Sequence, residues 1–228
     1  MPSLFEQSEL YDLIEKVEKG ERLEFDDGVR MMNSQDILAL GYMANLVRER
    51  KNGNQTYFIV NRPIKYANVC SDLDNCTNAT MCYGHNETTE ERIDHLLQMR
   101  EQQDRTGGFL TFIPLPFYPE NIKLEGTMGI GNTTGFEDLK MLAISRILLD
   151  NFDHIKGFWI MLGPRLAQVS LAFGVDDLDG TVVEERIIHS AGTETNQVMT
   201  KRALIHLIQK AGRDAVERDN LYRVLKTN

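Results

Sequence analysis

The stretch TNATMCYGHNETTEERIDHLLQMREQQDRTGGFLTFIPL, residues 77–115, decides the fold. It opens on seven residues of strand character, Thr77 to Tyr83. With a side-chain period of two, Asn78 and Thr80 share one face, and Ala79 and Met81 share the other. Thr88 with Glu91 spells a capping box, in which each residue satisfies the other's free backbone amide. That predicts a helix running to about Arg105, where Gly107-Gly108 stops it. Phe109 to Leu115 then reads as a second strand. Strand, capped helix, strand is the repeating unit of a parallel sheet with right-handed crossovers.

The same grammar extends in both directions. Thr134 with Glu137 is a second capping box, predicting a helix to about Asn151. Phe158-Trp159-Ile160-Met161-Leu162 reads as a buried strand. Pro164 suits the first position of a following helix, which Gly174 closes. A short strand is expected between Asp177 and Val182, and a last helix over 200–211. Upstream, Tyr57–Val60 and Tyr66–Cys70 read as short strands. Before them the apolar spacing predicts helices over 7–18 and 26–32. A third helix is expected to start at Ser34 as N-cap and to end at Asn52-Gly53. The expected class is α/β with a parallel sheet. Sites in such folds form at the C-terminal ends of the strands.

Composition narrows the function. The chain has 228 residues and a formal net charge of −9, with 42% hydrophobic and 26% charged residues. A core is affordable and disorder is not expected. No Lys/Arg-rich stripe exists to neutralise a phosphate backbone, so no nucleic-acid partner is expected. The densest basic run, Arg48-Glu49-Arg50-Lys51, reads as a helix end complementing the dipole. The first residues carry no basic and apolar leader pattern, and no window approaches the ~18 apolar residues of a membrane span. The expectation is a cytoplasmic chain with no membrane partner.

The candidate chemistry lies past the strands. His85 and Glu87 follow Thr77–Tyr83 at the end where sites form, and fit either a polar ligand contact or the loop and helix cap before Thr88. Asn78 and Thr80 suit an inward polar pair facing a ligand. Asp176-Asp177, Gly180-Thr181 and Glu184-Glu185 bring carboxylates together, but without the histidine spacing of a metal site. His95 and His206 lie within helices and read as surface residues. The three cysteines, Cys70, Cys76 and Cys82, have spacing C-x5-C-x5-C. Cys82 reads as a packed thiol on its strand.

Four stretches carry a resemblance: DILALGYMANLVRERKNGNQTYFIVNR (36–62), TNATMCYGHNETTEERIDHLLQMREQQDRTGGF (77–109), DNFDHIKGFWIMLGPRLAQVSLAFGVDDLDGTVVEERIIHSAG (150–192) and ERDNLYRVL (217–225). They resemble the aminodeoxyfutalosine synthases, radical-SAM enzymes of menaquinone biosynthesis. Related futalosine and deazaflavin enzymes share the Gly-Val-Asp-Asp and Gly-Thr-Val patterns. The resemblance implies an incomplete (β/α) barrel of radical-SAM type with an N-terminal helical layer (1–55). First barrel strands and the remnant of a cluster motif (56–76) would follow, then the C-terminal half of the barrel with an extension (77–228). It implies a transferase using a 4Fe–4S cluster and S-adenosyl-L-methionine (SAM). The adenosyl radical would add to 3-[(1-carboxyvinyl)oxy]benzoate, a small-molecule substrate, and give 6-amino-6-deoxyfutalosine.

On that resemblance Cys70 falls on the first cluster cysteine. Asn78, Thr80, His85, Glu87, Asp177 and Thr181 become substrate or SAM contacts. The family's C-x3-C-x2-C run does not follow Cys70, and the elements expected between it and Thr77 are missing. The resemblance therefore implies that the chain does not retain the cluster. The rival readings are an internally deleted, inactive remnant or small-molecule-binding scaffold, and a related futalosine or deazaflavin radical-SAM enzyme.

Overall fold

The computed structural model describes residues 4–60, 77–117, 133–180, 182–183 and 198–225. Three helices come first: α1 (Tyr11–Lys19), α2 (Phe25–Asn33) and α3 (Ile37–Asn52). The sheet elements then alternate with helices: β1 (Gln55–Phe58), β2 (Thr77–Tyr83), α4 (Thr89–Thr106), β3 (Phe109–Pro116), α5 (Gly135–Leu148), β4 (His154–Phe158), α6 (Trp159–Ser170) and β5 (Asp177–Asp179). The chain continues through β6 (Val182–Val183), β7 (Met199–Thr200), α7 (Lys201–Lys210) and β8 (Asp214–Glu217).

Six strands form one sheet in the order β2-β3-β4-β5-β1-β8, with every neighbouring pair parallel. β2, β3 and β4 are adjacent, and each is followed by a helix, as the strand–helix alternation requires. Among the described residues the sheet does not close into a ring, and the second edge of β2 has no strand on it. The expected strand at 66–70 lies outside the described residues. β6 and β7 pair separately.

The helices cover one face of the sheet. Both expected capping boxes are present, Thr88 with Glu91 and Thr134 with Glu137. α5 is central: Met141, Leu142, Ala143, Ile144, Ile147 and Leu148 are all buried. A helix that is apolar nearly all round must be enclosed. The sheet lies on one side of it and α2, α3 and α4 on the other. Long cations reach into this packing to satisfy carbonyls left bare at element ends. Arg100 donates to the Leu23 carbonyl at 2.8 Å, and Lys140 to that of Ser34 at 2.8 Å.

Three expectations need correction. α1 begins at Tyr11, because Ser8 is engaged in a turn and donates to Asp36 at 2.6 Å. α3 is capped by Asp36, whose carboxylate accepts from the Ala39 amide at 3.0 Å. Ser34 instead donates to Glu9 and accepts the Asp36 amide. The basic run lies at the end of α3 as expected, and within it Arg48 is fully buried, donating to the carbonyls of Val175, Gly53 and Gln55. Its burial pulls the guanidinium down to about 10.

The third concerns residues 158–162. The strand is His154–Phe158, and Trp159 to Leu162 already form a helical turn. A short apolar run has the same hydrophobic signal in either state. Gly163, with φ 75°, breaks the turn, and Pro164 restarts the helix in the position expected of it. The strand itself went unread because it carries His154 and Lys156. β8 went unread because Asp214-Ala-Val-Glu217 is short and charged at both ends.

Candidate functional site

Strand alternation and register sort the side chains into two faces. The outer face holds Ala79, Met81, Tyr83, Phe112, Ile155, Leu178 and Phe58, all buried. The opposite, inner face mixes polar and apolar side chains. Asn78, Thr80 and Cys82 stand exposed on β2. Ile113 and Leu115 on β3 are half-buried, beside them. Beyond lie His154, Lys156 and Phe158 on β4, Asp177 and Asp179 on β5, and Tyr57 on β1. The register places Lys156 and Tyr57 opposite Asp177, and Phe158 opposite Asp179.

The charged part of this face is a fixed network. Asp177 is fully buried, and its Oδ2 takes a bond from Arg218 Nη2 at 2.5 Å and another from the Tyr222 hydroxyl. Lys156 Nζ lies 3.9 Å from the same oxygen and 2.7 Å from Asp179 Oδ2. Asp179 Oδ1 accepts the Gly180 amide at 2.7 Å. Burial pushes the Asp177 carboxyl up, against the pull of Arg218 and Lys156. Burial pulls the Arg218 guanidinium down, but Asp177, Tyr222 and Asp179 together outweigh that cost and hold it above its ordinary range.

The C-terminal segment closes the network from below. Tyr222 stacks on His154 at 3.8 Å between centroids, with 4° between planes, and Arg218 lies 4.0 Å over the Tyr222 ring. Tyr222 has φ 60°, which a bulky side chain adopts only when its surroundings fix it. Behind it, Asp176 is spent: it accepts from Arg146, from His154 Nδ1 at 2.6 Å and from the Ile155 amide at 2.8 Å. Asp176 is thus a buried strut, while its neighbour Asp177 belongs to the inner face.

The other candidates divide. Asn78, Thr80 and Asp177 share the inner face. Glu87 does not join them: it accepts the Gly84 amide at 2.5 Å, the His85 amide at 2.9 Å and Arg92 Nε at 2.7 Å. Burial raises its carboxyl, but these donors outweigh it and hold the group below its ordinary value. His85 packs edge-on against Phe117 at 4.7 Å. Cys70 and Thr181 lie outside the described residues, as does Cys76. Cys82 is not the packed thiol expected of it but exposed, because the strand turns Ala79, Met81 and Tyr83 to the core instead. His95 and His206 are exposed on their helices.

Among the described residues no three His, Cys, Asp or Glu side chains come together as a metal site. A cubane needs several thiolates within a few ångströms, and Cys82 alone is one. The described residues therefore offer a 4Fe–4S cluster no ligand set.

Sequence reasoning missed Lys156, Asp179, Arg218 and Tyr222. Lys156 was hidden by reading the strand one turn late, and Arg218 and Tyr222 reach the site only through the fold of the C-terminal segment. Gly180 completes the corner. A Cβ there would stand 2.3 Å from Trp159 Nε1, and Trp159 is itself buried. Gly180→Ala is expected to lower stability by about 1–3 kcal/mol through overpacking. Urea unfolding checks this, and an unchanged midpoint would show that the corner yields.

Residues 106–228, more than half of the chain, match the CofH/MqnC C-terminal region. The chain belongs to the CofH/MqnC family. It is 56% identical over 151 residues to aminodeoxyfutalosine synthase of Thermus thermophilus, covering 66% of this chain and 41% of that protein. It is 48% identical to 5-amino-6-(D-ribitylamino)uracil--L-tyrosine 4-hydroxyphenyl transferase 1 of Methanosarcina acetivorans, covering 64% of this chain and 40% of that one. Cyclic dehypoxanthine futalosine synthase of Streptomyces coelicolor is 43% identical, with 65% and 36% covered. The chain thus spans about two fifths of the length of these relatives. Its fold is similar to that of the FeFe-hydrogenase maturase HydG from Carboxydothermus hydrogenoformans, with a TM-score of 0.63 at 10% identity, covering 95% of this chain and 81% of that one. At that identity the likeness speaks for the fold alone. This CofH/MqnC chain is a partial, aminodeoxyfutalosine-synthase-like protein of the radical-SAM class, with an open parallel sheet among its described residues. No helix among the described residues is long and apolar enough to cross a membrane.

Proposed function

We propose that this chain carries the substrate-facing half of an aminodeoxyfutalosine synthase. That enzyme joins the adenosyl group of SAM to 3-[(1-carboxyvinyl)oxy]benzoate. The observation that carries the reading is the contrast between the two sheet faces. The outer face is apolar and covered by helices, whereas the inner face presents polar groups that the fold alone does not require. Asn78 and Thr80 on β2 offer amide and hydroxyl donors to a carboxylate. Ile113 and Leu115 on β3 offer an apolar bed to an aromatic ring. The kinship with aminodeoxyfutalosine synthase supports the choice of ligand.

A second reading is favoured by the cysteine spacing. With C-x5-C-x5-C in place of the cluster run, the chain binds the substrate without initiating its reaction. In either case binding precedes chemistry, and binding is what tests the proposal. Titration with 3-[(1-carboxyvinyl)oxy]benzoate, followed by methyl NMR, is expected to shift Ile113 and Leu115 while leaving Ala79 and Met81 unmoved. Equal shifts on both faces, or none at millimolar ligand, would refute it.

A further inference from the structure

We propose that the groove between α6 and α7 is a docking site for an acidic amphipathic helix of a protein partner. The groove has a volume of about 510 Å³. Its apolar lining comes from Pro164 of α6 and from Met199, Ala203 and Leu207 on and just before α7. Arg165 and Lys210 bring charge to it from the two helices. Gln168 Nε2 donates to the Leu207 carbonyl at 2.8 Å and ties the helices together, so the groove is a fixed part of the fold. None of these residues lies on the inner sheet face, and the inference is independent of the function proposed above.

Charge singles this groove out. The two helices, WIMLGPRLAQVS and KRALIHLIQK, contain no aspartate or glutamate, whereas each of the other described helices carries at least one. Lys201 is spent on Glu217 at 2.7 Å. Among the described residues Arg165, Arg202 and Lys210 are exposed and form no ion pair. A solvated surface ordinarily mixes both signs. Here unpaired cations of one sign edge an apolar strip, in a chain whose formal net charge is −9. The helix dipole accounts for Lys210, in the last turn of α7. It does not account for Arg202 in the first turn, or for Arg165 just after the restart at Pro164, where a cation is unfavourable. A carboxylate brought to either place relieves that cost.

Shape selects a helix as the occupant. Ala203 and Leu207 are four residues apart, so they share one edge of α7. At 1.5 Å per residue α7 is about 15 Å long, which matches about three turns of a guest helix. Such a helix lays its apolar side chains on Met199, Ala203, Leu207 and Pro164 and turns its flanking carboxylates to Arg165, Arg202 and Lys210. A phosphate backbone would leave the apolar strip bare, and a flat lipid surface does not fill a concave groove. A twofold contact of the groove with its own copy would set like charges against each other.

The test titrates the intact chain into a labelled synthetic peptide of about fourteen residues, about four helical turns, with leucines at helical spacing and glutamates on either side of them. Fluorescence anisotropy is expected to report a micromolar complex at low salt. A peptide of the same composition in scrambled order, and one with glutamine for glutamate, should each bind about tenfold more weakly. Arg165→Glu combined with Lys210→Glu should weaken the first peptide by a similar factor, and circular dichroism checks that the variant folds. The peptide series on the wild-type chain stands by itself should it not. Equal affinity for the scrambled peptide, indifference to the double reversal, or no binding at millimolar peptide would overturn the inference. Capture by phosphatidylserine vesicles, or self-association that the double reversal abolishes, would assign the groove to a lipid surface or a second copy and overturn it as well.

Discussion

Anaerobic reconstitution of the purified chain with iron and sulfide is expected to yield no stoichiometric 4Fe–4S cluster and no cleavage of SAM to 5′-deoxyadenosine. The expectation rests on ligand count and distance. The spacing is C-x5-C-x5-C, so only Cys70 occupies the position of a cluster cysteine in the resembled motif. Cys82 is five residues beyond Thr77 along β2. At about 3.3 Å per residue that is roughly 16 Å from the start of the strand, far beyond the span of a cubane. Each iron without a thiolate is capped by water or added thiol, and such clusters are labile. Iron and sulfide analysis, the broad visible absorption of a cluster and chromatography for 5′-deoxyadenosine make the measurement. A full complement of cluster iron, with dithionite-dependent 5′-deoxyadenosine, would restore radical initiation to this chain and sink the second reading.

The other large effect is structural. Arg146 and Asp176 form an ion pair with both side chains fully buried. Replacing Arg146 by Met leaves Asp176 buried with only His154 and the Ile155 amide as partners. It also removes the donors to the carbonyls of Gly174 and Phe152. Breaking one side of a buried pair costs about 3–5 kcal/mol, because the remaining charge is uncompensated. Urea denaturation of Arg146→Met should show a loss of that size. Arg22 supplies the contrast: its pairs with Asp104 and Asp150 are substantially exposed. Exposed pairs contribute about 0–1 kcal/mol, so Arg22→Ala should shift stability little. Equal losses in the two variants would show that burial is not what gives the inner pair its weight.

The two effects differ in where they are written. The first follows from cysteine spacing, which the linear sequence displays. The second follows from a pair thirty residues apart, whose members meet only because α5 packs behind β4 and β5. The same division runs through the candidate site. Asn78 and Thr80 were assigned to a common face by strand periodicity, because a two-residue repeat is a local property. From its place after β2, Glu87 can be either a ligand contact or part of the loop and helix cap before Thr88. The structure shows its oxygens turned onto the loop's own amides and Arg92, a choice set by how residues 84–92 fold back.

The sequence by itself determined the alternation of strand and helix, the two capping boxes, the stop at Gly107-Gly108 and the restart at Pro164. Each is settled by neighbours a few residues away, through hydrogen bonds and φ preferences that act locally. The kinship was legible too, since it lies in unbroken stretches. Only the tertiary structure decided that Phe158–Leu162 divides between a strand end and a helical turn. The pairing of Lys156, Gly157 and Phe158 with Asp177, Leu178 and Asp179 fixes that boundary. It also decided that Lys156, Asp177, Asp179, Arg218 and Tyr222 form one network. Those residues come from strands and a C-terminal segment distant in sequence, and a buried charge reveals its partner only where the chain has brought the two together.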